Sequence, residues 1–386
     1  MKNKTIIYVT ELVAFILCLV VTGCSNSLEE EANNGGFQFC VQMPKAIDVD
    51  TKASLGPASE SIEISNAWIV QYSSPEEKLL KCVYIDANVV GSEFEQTDAE
   101  YLVTIKTKEN DFSLTASKFY IILNGGTDLL KNFAEATDNS IQALSKITCP
   151  VSTNASGSLA ITALPKLLTA GPTLYSPKSG DPEKVIFVSR VYRAFAKLSL
   201  NVKFPVASTD KLDIETATLT NIPKNMALFA GGGSNNNYPD ISVNNVAMYT
   251  EAIELADVIT NGGKKSFWMP ENIRGTGSSL TFQGKNQVSN GPGGNLDGCT
   301  YLTIKGKYYY DKNQRPDGSY QDPIDVEYRF YLGTNLTNDY NIRRDHHYNL
   351  TVNLKGANSA DLRVTITNGN VAVFDEVDTI ENKVDF

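Results

Sequence analysis

The chain is poor in the side chains that most often do chemistry at neutral pH. It has two histidines in 386 residues, His346 and His347, adjacent in "RRDHHYNLTVNL". On a strand, neighbouring side chains point to opposite faces, so the two do not readily serve one metal or one nucleophile. No G-x-S-x-G elbow between a strand and a helix supports a serine triad. Cysteine is scarce as well. Beyond Cys18 and Cys24 there are Cys40, Cys82, Cys149 and Cys299, and their long spacings exclude a CxxC metal or redox motif. In an oxidising compartment one or two disulfides stay open to them, and nothing in the sequence chooses among the three full pairings. Lys and Arg number 34 against 44 Asp and Glu, an acidic balance that argues against nucleic acid, whose phosphates need clustered cations. Arginine is absent before Arg190. Long apolar runs are missing too: the uncharged segment Leu12–Val21 is shorter than the roughly 20 residues a membrane span needs.

Patches that suggest ligands have simpler readings. "FAGGGSNNNYPD" lacks the Lys-Ser/Thr of a phosphate loop and reads as a loop tip. "DKNQRPDGSYQD" offers Asp311, Asn313, Asp317 and Asp322, but their spacing departs from a calcium loop and Pro316-Asp317-Gly318 reads as a hairpin turn. "GKYYYDK" puts Tyr308 and Tyr310 on one face and Tyr309 on the other; such rings stack on sugars when exposed and fill sandwich cores when buried. Carboxylate pairs suited to glycoside hydrolysis cannot be singled out, because acids are common throughout. The expectation is no catalytic residue, no metal and no cofactor.

What the sequence has in quantity is period-two patterning. "FQFCVQM" places Phe37, Phe39, Val41 and Met43 on one face. Short β-branched and aromatic runs follow: "AWIVQY", "YLVTIKT", "KFYIILN", "KVIFVSRVY", "AKLSLNVKF", "YLTIKGKYYY", "VEYRFYLG", "YNLTVNL" and "LRVTITNGNVAVF". Gly, Asn, Asp and Pro clusters separate them, the pattern of an all-β sandwich protein. Asn368-Gly369 reads as a two-residue hairpin turn between "VTIT" and "NVAV". Helix is confined to two short segments, one capped by Thr127 or Asp128 with Leu129, Leu130, Phe133 and Ala134 on one face, the other "SIQALSKI". The length suggests two domains, with a seam near Phe204-Pro205. On that reading "RAFAKLSLNVKF" is the last strand of the first domain and "TATLTNIP" opens the second. Each half has a similar order of strands.

The amino terminus reads as an address. Lys2 and Lys4 precede the apolar segment, as in a signal peptide. Thr22-Gly23 before Cys24 resembles the lipobox of bacterial lipoproteins, in which the cysteine becomes residue one and carries acyl chains. The alternative is an ordinary secretory peptide with a chance cysteine. Glu29, Glu30 and Glu31 just behind it resemble the surface-export signal of Bacteroidetes lipoproteins, and also read as plain solvated linker. Without residues 1–23 the chain keeps 32 basic and 43 acidic side chains, a net charge of −11.

The order of lipobox, "GGFQFCVQMP", "TKAS", "EISNAWIVQY", "FYIILNGG" and "RVYRAFAKLSLNV" resembles the N-terminal domain of Bacteroidetes fimbrillins, the lipoprotein-derived subunits of type V pili. "FWMPENIRGTG" and "EYRFYLGTNLTNDYNIRRDHHYNLTVNLKG" resemble their C-terminal domain. These are packing and turn signatures spanning about Gly35 to Gly356. The resemblance implies two tandem transthyretin-like β-sandwiches with few short helices, no enzymatic activity, and a place on the outer surface as an outer-membrane lipoprotein or part of a fimbrium. The implied layout is a signal peptide over 1–23, an acidic linker over 24–35, an N-terminal sandwich over 36–205 and a C-terminal sandwich over 206–386.

In that family a protease cuts after a basic residue and removes the first strand, and a donor strand from the next subunit fills the groove by strand addition. Carried over, Phe37, Phe39, Val41 and Met43 are the groove plugs. The tail "VAVFDEVDTIENKVDF" is the candidate donor, with Val373, Val377, Val384 and Phe386 among its candidate plugs. Polymerising members commonly offer arginine at the cleavage loop; here Lys45 and Lys52 take its place, Lys52 in "TKAS" matching best. Without cutting, the subunit keeps its groove filled and stays lipid-anchored through Cys24, as a pilus base or a surface protein binding host glycan or protein through loops such as 231–237 and 286–294. The implied partners are other pilus subunits and the outer membrane. Asp378-Thr379-Ile380 resembles the Bacteroidetes O-glycosylation pattern, with Thr379 as acceptor.

Overall fold

Alternating and continuous apolar runs take different places in the computed structural model, which describes residues 37–43, 63–86, 93–97, 102–108, 110–150, 167–177, 185–203, 209–229, 249, 252–255, 264–311, 315–319, 322–356, 359–368 and 380–383. The first strands are β1 (Phe37–Gln42), β2 (Asn66–Ser73), β3 (Leu79–Asp86), β4 (Glu93–Thr97), β5 (Leu102–Lys106), β6 (Ser117–Leu123), β7 (Thr148–Pro150), β8 (Leu168–Tyr175), β9 (Val185–Arg190) and β10 (Tyr192–Arg193). Then come β11 (Phe195–Lys203), β12 (Lys211–Thr220), β13 (Asn225–Ala227), β14 (Ile253–Glu254), β15 (Lys264–Pro270), β16 (Tyr301–Tyr309), β17 (Ile324–Tyr331), β18 (His346–Gly356), β19 (Ser359–Asn368) and β20 (Ile380–Lys383). Among the described residues α-helix is limited to α1 (Ile141–Ser145) and α2 (Phe282–Lys285). The protein is all-β.

Two sandwiches follow one another. In the first, a sheet in the order β4-β5-β1-β9 packs on one in the order β10-β8-β6-β2-β3. Phe37, Phe39, Val41, Val103, Ile105 and Phe187 from one layer meet Ile69, Phe119, Ile121 and Leu168 from the other in a single buried cluster. In the second, β15-β11-β18-β19-β20 packs on β14-β12-β16-β17. The opening strand of each, β1 or β11, has an antiparallel neighbour on one side and a parallel one, β9 or β18, on the other. The two halves therefore share a plan.

Continuous runs mark a sheet covered on both faces. In β2 and β6, Ile69, Phe119 and Ile121 enter the first core, while Trp68, Val70, Tyr72, Tyr120 and Ile122 enter the cluster that extends through the second sandwich. Tyr120 meets Phe229 with ring centroids 5.2 Å apart, and β7 of the first half pairs with β13 of the second.

Several sequence expectations change. The strand of "RAFAKLSLNVKF", expected to close the first sandwich, is β11, which pairs with β15 and β18 and so opens the second. The strand switches sheet at Ala194, directly after β10, and not at Phe204-Pro205. Alternation tells which side of a strand is apolar, not which sheet it joins. Residues 127–137 form successive turns in place of a helix; Leu130 and Phe133 are still buried, since single turns suffice to aim both inward. "SIQALSKI" does form α1, with the Ser140 hydroxyl accepting from Ala143 N. Beside β19 the partner of Ile366 is Ile380 of β20, and the expected turn at Asn368-Gly369 with its "NVAV" strand is not among the described residues. Gly369 and residues 370–379 lie outside the described residues. Cys82, Cys149 and Cys299 are free thiols, so none of the full disulfide pairings forms. Burial pushes these thiols up to about 12, 11 and 12 respectively, which keeps them protonated and inert.

Candidate functional site

β1, the first described strand, sits inside its sheet and not at an edge. It lies between β5, antiparallel with Phe39 opposite Ile105, and β9, parallel with Phe39 opposite Phe187. β9 has β1 as its sheet neighbour and β5 lies on the far side. Withdrawing β1 would thus leave a slot one strand wide, walled by unpaired backbone N–H and C=O groups of both neighbours. The strand is fixed at both ends: Thr107 donates to Phe37 O through its backbone N at 3.0 Å and its hydroxyl at 2.8 Å, and Val191 N donates to Gln42 O at 3.0 Å.

The alternation expected of "FQFCVQM" is present. Phe37, Phe39, Val41 and Met43 are buried in the first core. Phe39 meets Phe112, Phe119 and Phe187 edge-on at 5.3 to 5.4 Å, and Phe37 meets Tyr175 at 5.5 Å. At about 1.5–3 kcal/mol per fully buried large apolar side chain, the four together contribute on the order of 6–12 kcal/mol. That is comparable with the whole stability of a domain. Gln38 and Cys40 on the opposite face are buried too.

The other residues singled out in the sequence separate into two groups. Cys24, Lys45, Lys52, Val373, Val377, Thr379, Val384 and Phe386 lie outside the described residues. From the tail, Ile380–Lys383 forms β20 at the outer edge of the chain's own second sandwich. His346 and His347 have separate partners, Nδ1 of His346 at 2.7 Å from Arg344 O and Nε2 of His347 at 2.7 Å from Ser199 Oγ. Tyr308 is buried with its hydroxyl donating to Asp210 Oδ2 at 2.6 Å, so this ring fills a core. At the Pro316-Asp317-Gly318 tip, Asp317 Oδ1 accepts from Ser319 N and Oγ, and Gly318 has φ of 84°, a turn geometry glycine suits. Among the described residues no group of three His, Cys, Asp or Glu could hold a metal ion.

A second constellation escaped the sequence reading. Arg344, inside the "RRDHH" segment, is buried; its Nε donates to Glu271 Oε2 at 2.9 Å and its Nη atoms donate to Leu228 O and Ala227 O, each at 2.7 Å. It thereby grips the ribbon β7–β13 where the halves join. Asp345 ion-pairs with Arg193 at 3.3 Å, both buried, and Asp345 N donates to Phe195 O at 2.8 Å. No spacing signals these pairs, which join residues 73 and 152 positions apart.

Burial raises the Asp345 carboxyl to about 6, against the pull of Arg193. Because the folded protein then holds this proton more tightly than the unfolded chain, the contribution of Asp345 to stability is largest below about pH 4 and falls as pH rises to about 6. Asp345→Asn is expected to remove that slope, which chemical unfolding at a series of pH values between 4 and 6 will check.

The matching family model covers residues 267–352 and is described as a domain of unknown function, DUF4906. Among curated proteins none matches the chain. In structure it is similar to a "putative cell adhesion protein" from Parabacteroides distasonis ATCC 8503, at 13% identity over 91% of this chain and 96% of that one, with a TM-score of 0.50. It is also similar to the tip fimbrial protein Mfa3 of Porphyromonas gingivalis, with C-terminal truncation, at 11% identity, 87% and 100% coverage and a TM-score of 0.47. A fimbrilin (FimA) of Porphyromonas gingivalis W83 shows 14% identity, 84% and 91% coverage and a TM-score of 0.47. The likeness to the Parabacteroides protein is one of fold, and this chain has that fold.

Proposed function

We propose that the protein is a structural subunit of a cell-surface fimbria and has no enzymatic activity. The observation that carries this reading is the placement of β1. It is the first described strand, it fills a slot between β5 and β9, and it joins the rest of its sandwich through the segment that follows Met43. A strand so placed is removable by one cut and replaceable by another strand of like alternation. The fold shared with the "putative cell adhesion protein" of Parabacteroides distasonis supports the same reading.

In this scheme Cys24 carries lipid during export, a protease acts at Lys45 or Lys52, and the tail with Val373, Val377, Val384 and Phe386 enters the slot of the next subunit. β20 would then leave its own sheet edge to reach a neighbour. The absence of arginine before Arg190 favours a second reading, an uncut subunit held by Cys24 at the outer membrane as an anchor or as a binder of host glycan or protein. In either case Thr379 would be the O-glycosylation acceptor.

Cutting purified protein between residues 43 and 63 tests assembly. The expected product is a ladder of polymers that survives heating in detergent. Cut protein that stays monomeric would sink the polymerising reading and leave the anchored one.

A further inference from the structure

Segment 185–203 connects the slot to the seam without interruption. Its first part, β9, is the slot wall; Val191 caps the end of β1 through Gln42 O. Two residues later Arg193 holds Asp345, and from Phe195 onward the same segment is β11, paired to β15 and β18 in the second sandwich. Arg344, beside Asp345, grips Ala227 and Leu228, and Leu228 N donates to Ile147 O of the first half at 3.2 Å.

We propose that this segment is a mechanical link, so that the strand occupying the slot sets how tightly the two sandwiches are latched at Arg193, Arg344 and Asp345. The reason is connectivity. β9 is held laterally in its sheet by β1; a wall that loses this neighbour strains directly on the short clamp at its far end, where β10 pairs with β8, Ala194 N donates to Leu167 O and the latch begins. The inference rests on the same slot as the fimbrial reading but on its geometry alone, and it stands or falls without any polymer being formed.

Coupling of this kind is reciprocal. Hydrogen exchange of the full chain therefore tests it in both directions. Phe39→Ala, which loosens β1, is expected to speed exchange about a hundredfold or more along β1 and β9 and roughly tenfold at the amides of Asp345 and Leu228, while β16 stays within about twofold of the wild type. Asp345→Ala, which removes the acceptor that Arg193 holds at the other end, is expected to speed exchange in β1 and β9 roughly tenfold. Faster exchange confined to β1 and β9 in the first variant, or unchanged β1 and β9 in the second, would overturn the proposal. If Phe39→Ala unfolds the chain, β16 exchanges rapidly too, and the Asp345→Ala arm alone decides.

Discussion

Phe39→Ala is expected to lower the free energy of unfolding by about 3–5 kcal/mol, the range for truncating a buried phenylalanine. The site offers little relief by collapse. Phe39 is 0% exposed, and the rings around it, Phe37, Phe112, Phe119 and Phe187, are planar groups anchored on separate strands and loops. Partial filling of the cavity would need several of them to leave their edge-to-face arrangements at once, which costs contacts of its own. Against a domain stability of about 5–15 kcal/mol, a loss of this size shifts the midpoint of denaturant unfolding far enough to measure plainly. Phe39→Leu, which keeps most of the volume, should lose less than half as much. Equal losses for the two would mean that β1 is not packed as described.

Arg344→Met should cost a similar amount, about 3–5 kcal/mol, through a different cause. The guanidinium serves three acceptors at once. Its loss takes from the Glu271 carboxylate, 4% exposed, the guanidinium paired with it at 2.8 Å, and leaves Ala227 O and Leu228 O without the donors that now reach them. A buried carboxylate that loses its counter-charge either pays desolvation in full or takes up a proton, and both lower stability near neutral pH. Arg344→Lys is expected to recover only part, because an ammonium is a point donor and cannot span the carboxylate and both carbonyls. Pairing Arg344→Met with Glu271→Met should restore more than Arg344→Lys does, since it removes the stranded charge. Equilibrium unfolding of these three variants and of Glu271→Met alone measures these differences, and an additive double variant would contradict the geometry.

What was legible in the sequence is what depends on local chain chemistry. The alternation of "FQFCVQM" places Phe37, Phe39, Val41 and Met43 because a strand buried on one face must repeat every second residue. The continuous runs of β2 and β6 are equally readable in hindsight as strands covered twice. What was not legible depends on long-range pairing. β11 has the same alternation whether it ends one sandwich or begins the next, and only its partners β15 and β18 decide. The latch is a sharper case. "RRDHH" attracted attention for its histidines, yet the side chains that join the halves are Arg344 and Asp345, whose partners Glu271 and Arg193 lie far off in sequence. A faint signal did exist: charged residues directly before the strand "HYNLTVNL" must either reach solvent, as Arg343 does, or find opposite charge, as Arg344 and Asp345 do. The turns at 127–137 show the reverse, where helix periodicity was satisfied by isolated turns packing Leu130 and Phe133 against the outer face of β2 and β6.

The central claim is that β1 is an exchangeable filling of a slot built by β5 and β9. It is tested most directly by cutting the chain between residues 43 and 63 and adding a labelled peptide of residues 369–386, then weighing the intact complexes by native mass spectrometry. The account predicts that the fragment bearing Phe37–Met43 leaves as the peptide binds, one peptide per chain, with the sandwich still folded. A fragment that stays bound against excess peptide, or a chain that unfolds on losing it and takes up no peptide, would contradict the account.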